Sequence, residues 1–155
     1  MRDDYRRSFS GNFLMNMPYK FFRHTADAKF KAFGKTLEEA FFHAALAVAS
    51  LMWDWEKIAH RIDIPVKVEG KDLEQLLVNF LEEILYLLDT RHFLLASVDA
   101  ISVEQKNDAW TLQAVFKGDE RMSDYEVYGD VKAITYNEID VSDRSPYAVQ
   151  VVVDV

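Results

Sequence analysis

The chain contains no cysteine. A disulfide framework, a thiolate zinc site and a cysteine nucleophile are thereby excluded, and any metal must be held by oxygen or imidazole. Proline and glycine are sparse, 3 and 5 among 155 residues, and no Pro/Gly/Ser-rich stretch divides the chain, so one domain is expected. No apolar run approaches the about 18 residues of a membrane span, and no segment has the order of a secretory signal. A cytoplasmic protein without a membrane partner is expected. Positive charge is also short: 18 Lys and Arg against 26 Asp and Glu leave a formal net charge of −8. That balance disfavours direct nucleic-acid binding, which draws its affinity from cations neutralising phosphates, and suits a basic partner protein instead. The GxxxxGK, GxGxxG, HExxH and GxSxG signatures are all missing, so an independent nucleotide-hydrolysing enzyme is not expected.

Apolar material is abundant: half of the residues are hydrophobic, with 11 Phe, 7 Tyr and 3 Trp. A chain of this length buries roughly two-thirds of its unfolded surface, enough for one core. Residues 1–14, with Arg2, Arg6, Arg7, Ser8, Ser10 and Gly11, show no period and read as an extension without fixed structure. Residues 15–155 form the expected domain.

Two segments carry helical spacing. Leu37, Ala40, Phe41, Ala44, Val48, Leu51, Met52 and Trp55 recur at three and four, after a capping-box pair of Thr36 and Glu39 and a turn-permitting Gly34. The second stripe runs Leu73, Leu76, Leu77, Phe80, Leu81, Ile84, Leu85 and Leu88, with Asp72 as N-cap, Gln75 three residues on, and Asp89-Thr90-Arg91 at the end. Val78 and Leu87 widen its apolar surface, predicting a helix packed on two sides. Strands are predicted on either side of His24 to Asp27 within residues 19–33, around 66–69, over 93–104 and 109–117, and near 131–141 and 147–154. Lys106-Asn107-Asp108 should turn a hairpin, and a change of phase between Asp99 and Ser102 predicts a bulge near Ala100. Gly118 to Asp130 reads as a surface loop. The order ββαβαββββ predicts an α+β fold, with two amphipathic helices on one face of a mostly antiparallel sheet.

Chemistry concentrates at the two ends. His24-Thr25-Ala26-Asp27 lies on a short strand, and Val153-Asp154-Val155 closes a Val-rich one. If the first and last strands pair, the carboxylates of Asp27 and Asp154 converge, and Val155 adds a third oxygen donor, the oxygen-rich set a hard divalent cation takes. The plainer readings are that His24 ends a strand, Asp27 caps a turn and Asp154 marks where a strand meets water. Lys132, Ile134, Tyr136 and Glu138 are expected to share a face, with Lys132 either meeting an anionic group or, as the commoner outcome, pairing with Glu138. Asn79, Glu82, Glu83 and Tyr86 form a polar helix edge of the solvated kind. The phenylalanines 21, 22, 30, 33, 41 and 42 read as core.

Five motifs together resemble the archease family: Tyr19 to Asp27, Phe33-Gly34-Lys35-Thr36-Leu37-Glu38-Glu39-Ala40-Phe41, Asp72 to Thr90 with Asn79, Glu82, Glu83 and Tyr86, Val131-Lys132-Ala133-Ile134-Thr135-Tyr136, and Val153-Asp154-Val155. The resemblance covers residue 19 to the end. It implies an accessory protein, not an enzyme, that promotes guanylylation and multiple turnover of an RtcB-type RNA ligase. GTP and tRNA would be met only through that ligase. It also implies that Asp27, Asp154 and Val155 bind a divalent metal, calcium first, with magnesium, manganese or zinc as alternatives. Lys132 is linked to activity by the same resemblance, and His24 and Tyr136 are taken with it as activity-supporting. Two departures stand out: Ala28-Lys29 where the family has an aliphatic residue and glycine, and Asn137 where it has histidine. A metal-independent adaptor or chaperone-like module is the rival reading, and a metal-dependent hydrolase with His24 or Glu138 as base is a third.

Overall fold

The structure, a computed structural model, describes residues 17–23 and 27–155. The expected N-terminal extension and His24 lie outside the described residues. In chain order come β1 (Tyr19–Phe22), β2 (Ala28–Gly34), α1 (Leu37–Ser50), β3 (Ile62–Gly70), α2 (Leu73–Arg91), β4 (Leu94–Lys106), β5 (Ala109–Asp119), β6 (Ala133–Ser142) and β7 (Tyr147–Asp154). This is the element order expected, and the class is α+β. Among the described residues no helix is long and apolar enough to cross a membrane.

The strands divide into two antiparallel sheets, β1-β2-β7-β6 and β3-β5-β4, rather than one. The reason lies in the helices. α1 packs on β2 of one sheet and β4 of the other, and α2 packs on β3 and β6, so each helix bridges both sheets instead of covering a single face. α1 is buried at Ala40, Phe41 and every position from Ala44 to Ala49, as suits a helix with apolar neighbours on several sides. In α2, Val78 and Leu87 are buried along with the main stripe, which is the two-sided packing expected of it.

Local chemistry sets the boundaries. Thr36 Oγ1 accepts from the Glu39 amide at 3.1 Å, while Glu39 Oε1 accepts from the Lys35 amide at 2.8 Å. Asp72 and Gln75 repeat the arrangement at α2, at 2.8 and 2.9 Å. Gly34 serves close approach, not turning: a Cβ there would meet the Ala40 nitrogen at 2.4 Å. α1 stops at Ser50, short of the Trp55 that its spacing suggested. There the Ser50 hydroxyl donates to the Ala47 carbonyl, and the amides of Met52 and Trp53 both turn back to Ala49. Met52 and Trp53 are nonetheless fully buried, so the apolar spacing beyond Ser50 reports packing and not helix.

The β4–β5 hairpin closes Lys106 onto Ala109 through Asn107 and Asp108, both left-handed at φ 53° and 63°, the geometry of a two-residue hairpin turn. The bulge falls where expected, with Ala100 at φ 54° and a register shift between Asp99 and Ser102.

Candidate metal centre

β2 and β7 pair from Gly34↔Tyr147 to Ala28↔Val153. Alternation buries Ala28, Phe30 and Ala32 against the core with Val149, Val151 and Val153. Asp27 precedes the last pair on one strand and Asp154 follows it on the other, so both acids emerge at the same end of one ladder, on strands about 4.8 Å apart. The strand that meets β7 is the second, with β1 outside it, and Asp27 occupies a bend ahead of β2 rather than a strand position. β6 reaches the same end: Ala133 pairs with Asp154, and the Lys132 amide donates to the Asp154 carbonyl at 2.7 Å. Val155 follows, 41% exposed. Asp27, Asp154, Val155 and the Lys132 backbone are thus gathered at one edge of the molecule.

Oxygen donors of this type fit a hard divalent cation. Among the described residues, however, no group of three His, Asp or Glu side chains is placed to hold one. Two carboxylates would supply only part of a coordination shell, and the other oxygens would have to come from Val155, solvent or a partner.

Lys132, Ile134, Tyr136 and Glu138 do not share a face. β6 pairs Thr135 with Val152 and then Asp140 with Gln150, so residues 136–139 loop out against a single residue of β7. Glu138 sits there at φ 53°, held by Gln150 Nε2 donating to its carbonyl at 2.7 Å. Ile134 is consequently 6% exposed and Tyr136 54%. Nor does Lys132 pair with Glu138. Lys29 does, its Nζ 3.0 Å from Glu138 Oε1. This gives the Ala28-Lys29 departure a physical content: the lysine is engaged on the outward face rather than left as an uncompensated cation beside Asp27.

Along the α2 edge Glu82 and Tyr86 are exposed, as expected, while Asn79 and Glu83 are half-buried. Asn79 Nδ2 donates to the Glu69 carbonyl at 2.7 Å, and Val68, Glu69, Asn79, Glu82, Glu83 and Tyr86 line a shallow cleft of about 310 Å³. Burial pushes the Glu83 carboxyl above its ordinary value.

Two polar centres escaped sequence reasoning. Asp119, placed in a surface loop by its acidic surroundings, instead ends β5 and is 2% exposed. Tyr125 donates to it at 2.6 Å, Arg61 Nη1 at 2.9 Å and the Arg121 amide at 3.3 Å. The Tyr125 hydrogen bond, more than the Arg121 amide or the Arg61 charge, holds its carboxyl below the usual range against the opposing effect of burial. His43 on α1 faces the Phe33 carbonyl through Nδ1, and burial lowers its basicity. No local spacing signals either centre, because the partners are distant in sequence or hidden in a change of element. Of the expected core phenylalanines, Phe21, Phe30 and Phe41 are buried, and Phe22 is half-buried on the outward face.

Residues 19–155 match the model of the archease protein family. The protein archease of Methanosarcina mazei is 32% identical over 139 residues, covering 88% of this chain and 95% of its own length. That of Pyrococcus furiosus is 36% identical over 124 residues, 79% and 87% of the two chains. The solution structure of Methanobacterium thermoautotrophicum protein 1598 superposes with a TM-score of 0.76 at 29% identity, covering 89% of this chain and 99% of that one. A Thermotoga maritima archease, described as a possible chaperone, shares the fold at a TM-score of 0.54 and 14% identity. The chain belongs to the archease family.

Proposed function

We propose that this protein is a non-catalytic, cytoplasmic activator of an RtcB-type RNA ligase, promoting its guanylylation and repeated turnover. The observation that carries the reading is the β2–β7 ladder end, which brings Asp27 and Asp154 to one edge although they lie at opposite ends of the matched region. With Val155 they would hold a divalent ion, calcium first among the candidates, whose chemistry is to neutralise triphosphate charge while the ligase is guanylylated. An incomplete protein shell suits that task, since open positions leave room for oxygens of the partner and its nucleotide. The chain's own part is to orient the two carboxylates, through the ladder and the Lys132 amide on the Asp154 carbonyl, and to carry the site to the ligase on an acidic body. A field of this sign speeds encounter with a basic cleft. Lys132, exposed beside Asp154, would contact the anionic groups there. His24 and Tyr136 are proposed to support activity from the flanking segments. GTP and tRNA belong to the ligase in this scheme.

The test is guanylylation of a matched ligase with and without this chain. Asp27→Ala and Asp154→Ala are expected to reduce stimulation to the level of the ligase alone while each variant still unfolds cooperatively in urea. Full stimulation by either folded variant refutes the metal role. The rival reading is a metal-independent chaperone-like adaptor. Stimulation that survives chelator would select it.

A further inference from the structure

The outward face of the first sheet carries a strip of positive charge that the net charge of −8 conceals. Strand register sets Lys20 directly opposite Lys31, and Phe22 opposite Lys29. Like charges facing each other across a ladder destabilise it, and here no carboxylate intervenes. The Lys31 ammonium has no acidic partner among the described residues, and that of Lys20 meets the Phe22 ring, 5.2 Å from its centroid. Lys29 lies 5.9 Å from the same ring on its way to Glu138. Arg23 is exposed just beyond β1, and Lys35 exposed just beyond β2. Of the acidic residues of this face, Glu138 pairs with Lys29 at 3.0 Å, Asp140 stands opposite Gln150 on the far side of β7, and Asp154 lies at the ladder end.

We propose that this lysine strip binds the phosphate backbone of a single RNA strand. Lys29 and Lys31, two positions apart on one strand, lie about 6.7 Å from each other along it. Lys31 and Lys20 face each other there, and Lys29, held by Glu138, extends the row beside an aromatic ring, the combination by which single-stranded nucleic acid is held without sequence preference. The strip leads along β2 towards Asp27, so a strand lying on it runs towards the edge where the carboxylates gather. The inference rests on the proposed role beside an RNA ligase, which is what brings RNA to this face. It also refines the expectation from total charge: a sum over the chain does not describe one face of one sheet.

The full chain, in chelator so that no metal contributes, is titrated into a fluorescein-labelled oligouridylate of about twelve nucleotides while anisotropy is followed over a range of salt. Neutralising two or three phosphates of a single strand gives a slope of log affinity against log salt between about −1.4 and −2.1. Lys20→Gln with Lys31→Gln is expected to weaken binding about tenfold or more and to flatten that slope by roughly 1 to 1.5. Lys106→Gln, on the β4–β5 turn of the other sheet, should leave both unchanged. No binding at low salt, or equal binding by the double variant, overturns the proposal. So does stronger displacement by polyglutamate than by oligouridylate, which would assign the strip to an acidic polypeptide. Because neither ligase nor metal is present, failure here leaves the activator reading standing, and failure of that reading leaves this result standing.

Discussion

Asp119 shows how a single buried charge is accommodated. Among the described residues it is the one charged side chain in the interior, and a buried carboxylate without partners would be strongly unfavourable. Tyr125 contributes the leading hydrogen bond and also accepts from the Ala59 amide at 3.1 Å, so its hydroxyl joins β5 to the chain ahead of β3. Tyr125→Phe should therefore lower stability to urea by about 1–2 kcal/mol at neutral pH. Arg61→Ala should matter less, under about 1 kcal/mol, since that side chain is 52% exposed. The folded carboxyl lies below its unfolded value, so the unfolded chain binds the extra proton. The stabilisation is then fully present above about pH 4 and disappears as pH falls through the folded value. Unfolding curves for the parent and Tyr125→Phe should converge on acidification, and a constant gap down to about pH 2 would contradict this account. The meeting of Asp27 and Asp154 at one ladder end could be anticipated from sequence, because each lies at the end of a short, recognisable strand. Asp119 could not, because its guanidinium partner lies 58 residues away.

At the scale of elements, what was legible is what is decided within a few residues. Thr36 with Glu39, Asp72 with Gln75, and Asn107 with Asp108 each complete their geometry locally. The bulge at Ala100 was visible as a change of polar phase, and it carries a prediction. An alanine held at φ 54° is strained where glycine is not, so Ala100→Gly should gain about 0.5–1 kcal/mol after glycine's larger loss of chain entropy. That gain would appear as a rise in Tm of about 1–4 °C, and a fall would mean that the methyl group packs usefully. The C-terminal end of α1 and the course of β6 were not legible, because the deciding contacts are elsewhere. The excursion at residues 136–139 depends on Gln150 and on the Thr135 hydroxyl donating to the Val152 carbonyl at 2.7 Å, and an alternating pattern read along β6 alone cannot contain that information.

For the whole molecule, helices and strands were readable while their partition into two sheets was not. Periodicity states which side of an element is apolar, but not how many layers will cover it, and both helices turned out to serve two sheets. The pairing of β2 with β7 joins residues 28–34 to 147–153, a closure across most of the chain that makes folding slow relative to locally wired proteins. A variant ending before Tyr147 should lose the inner strand of the first sheet, leaving β6 unpaired and β1–β2 a bare hairpin. Its urea denaturation should then show no cooperative transition, and a sharp one would place the stability elsewhere. The same closure has a biological corollary. Because Asp27 adjoins β2 and Asp154 ends β7, the two acids become neighbours only when that ladder closes, so under the proposed function a chain in which β7 has not docked would be unable to present the pair.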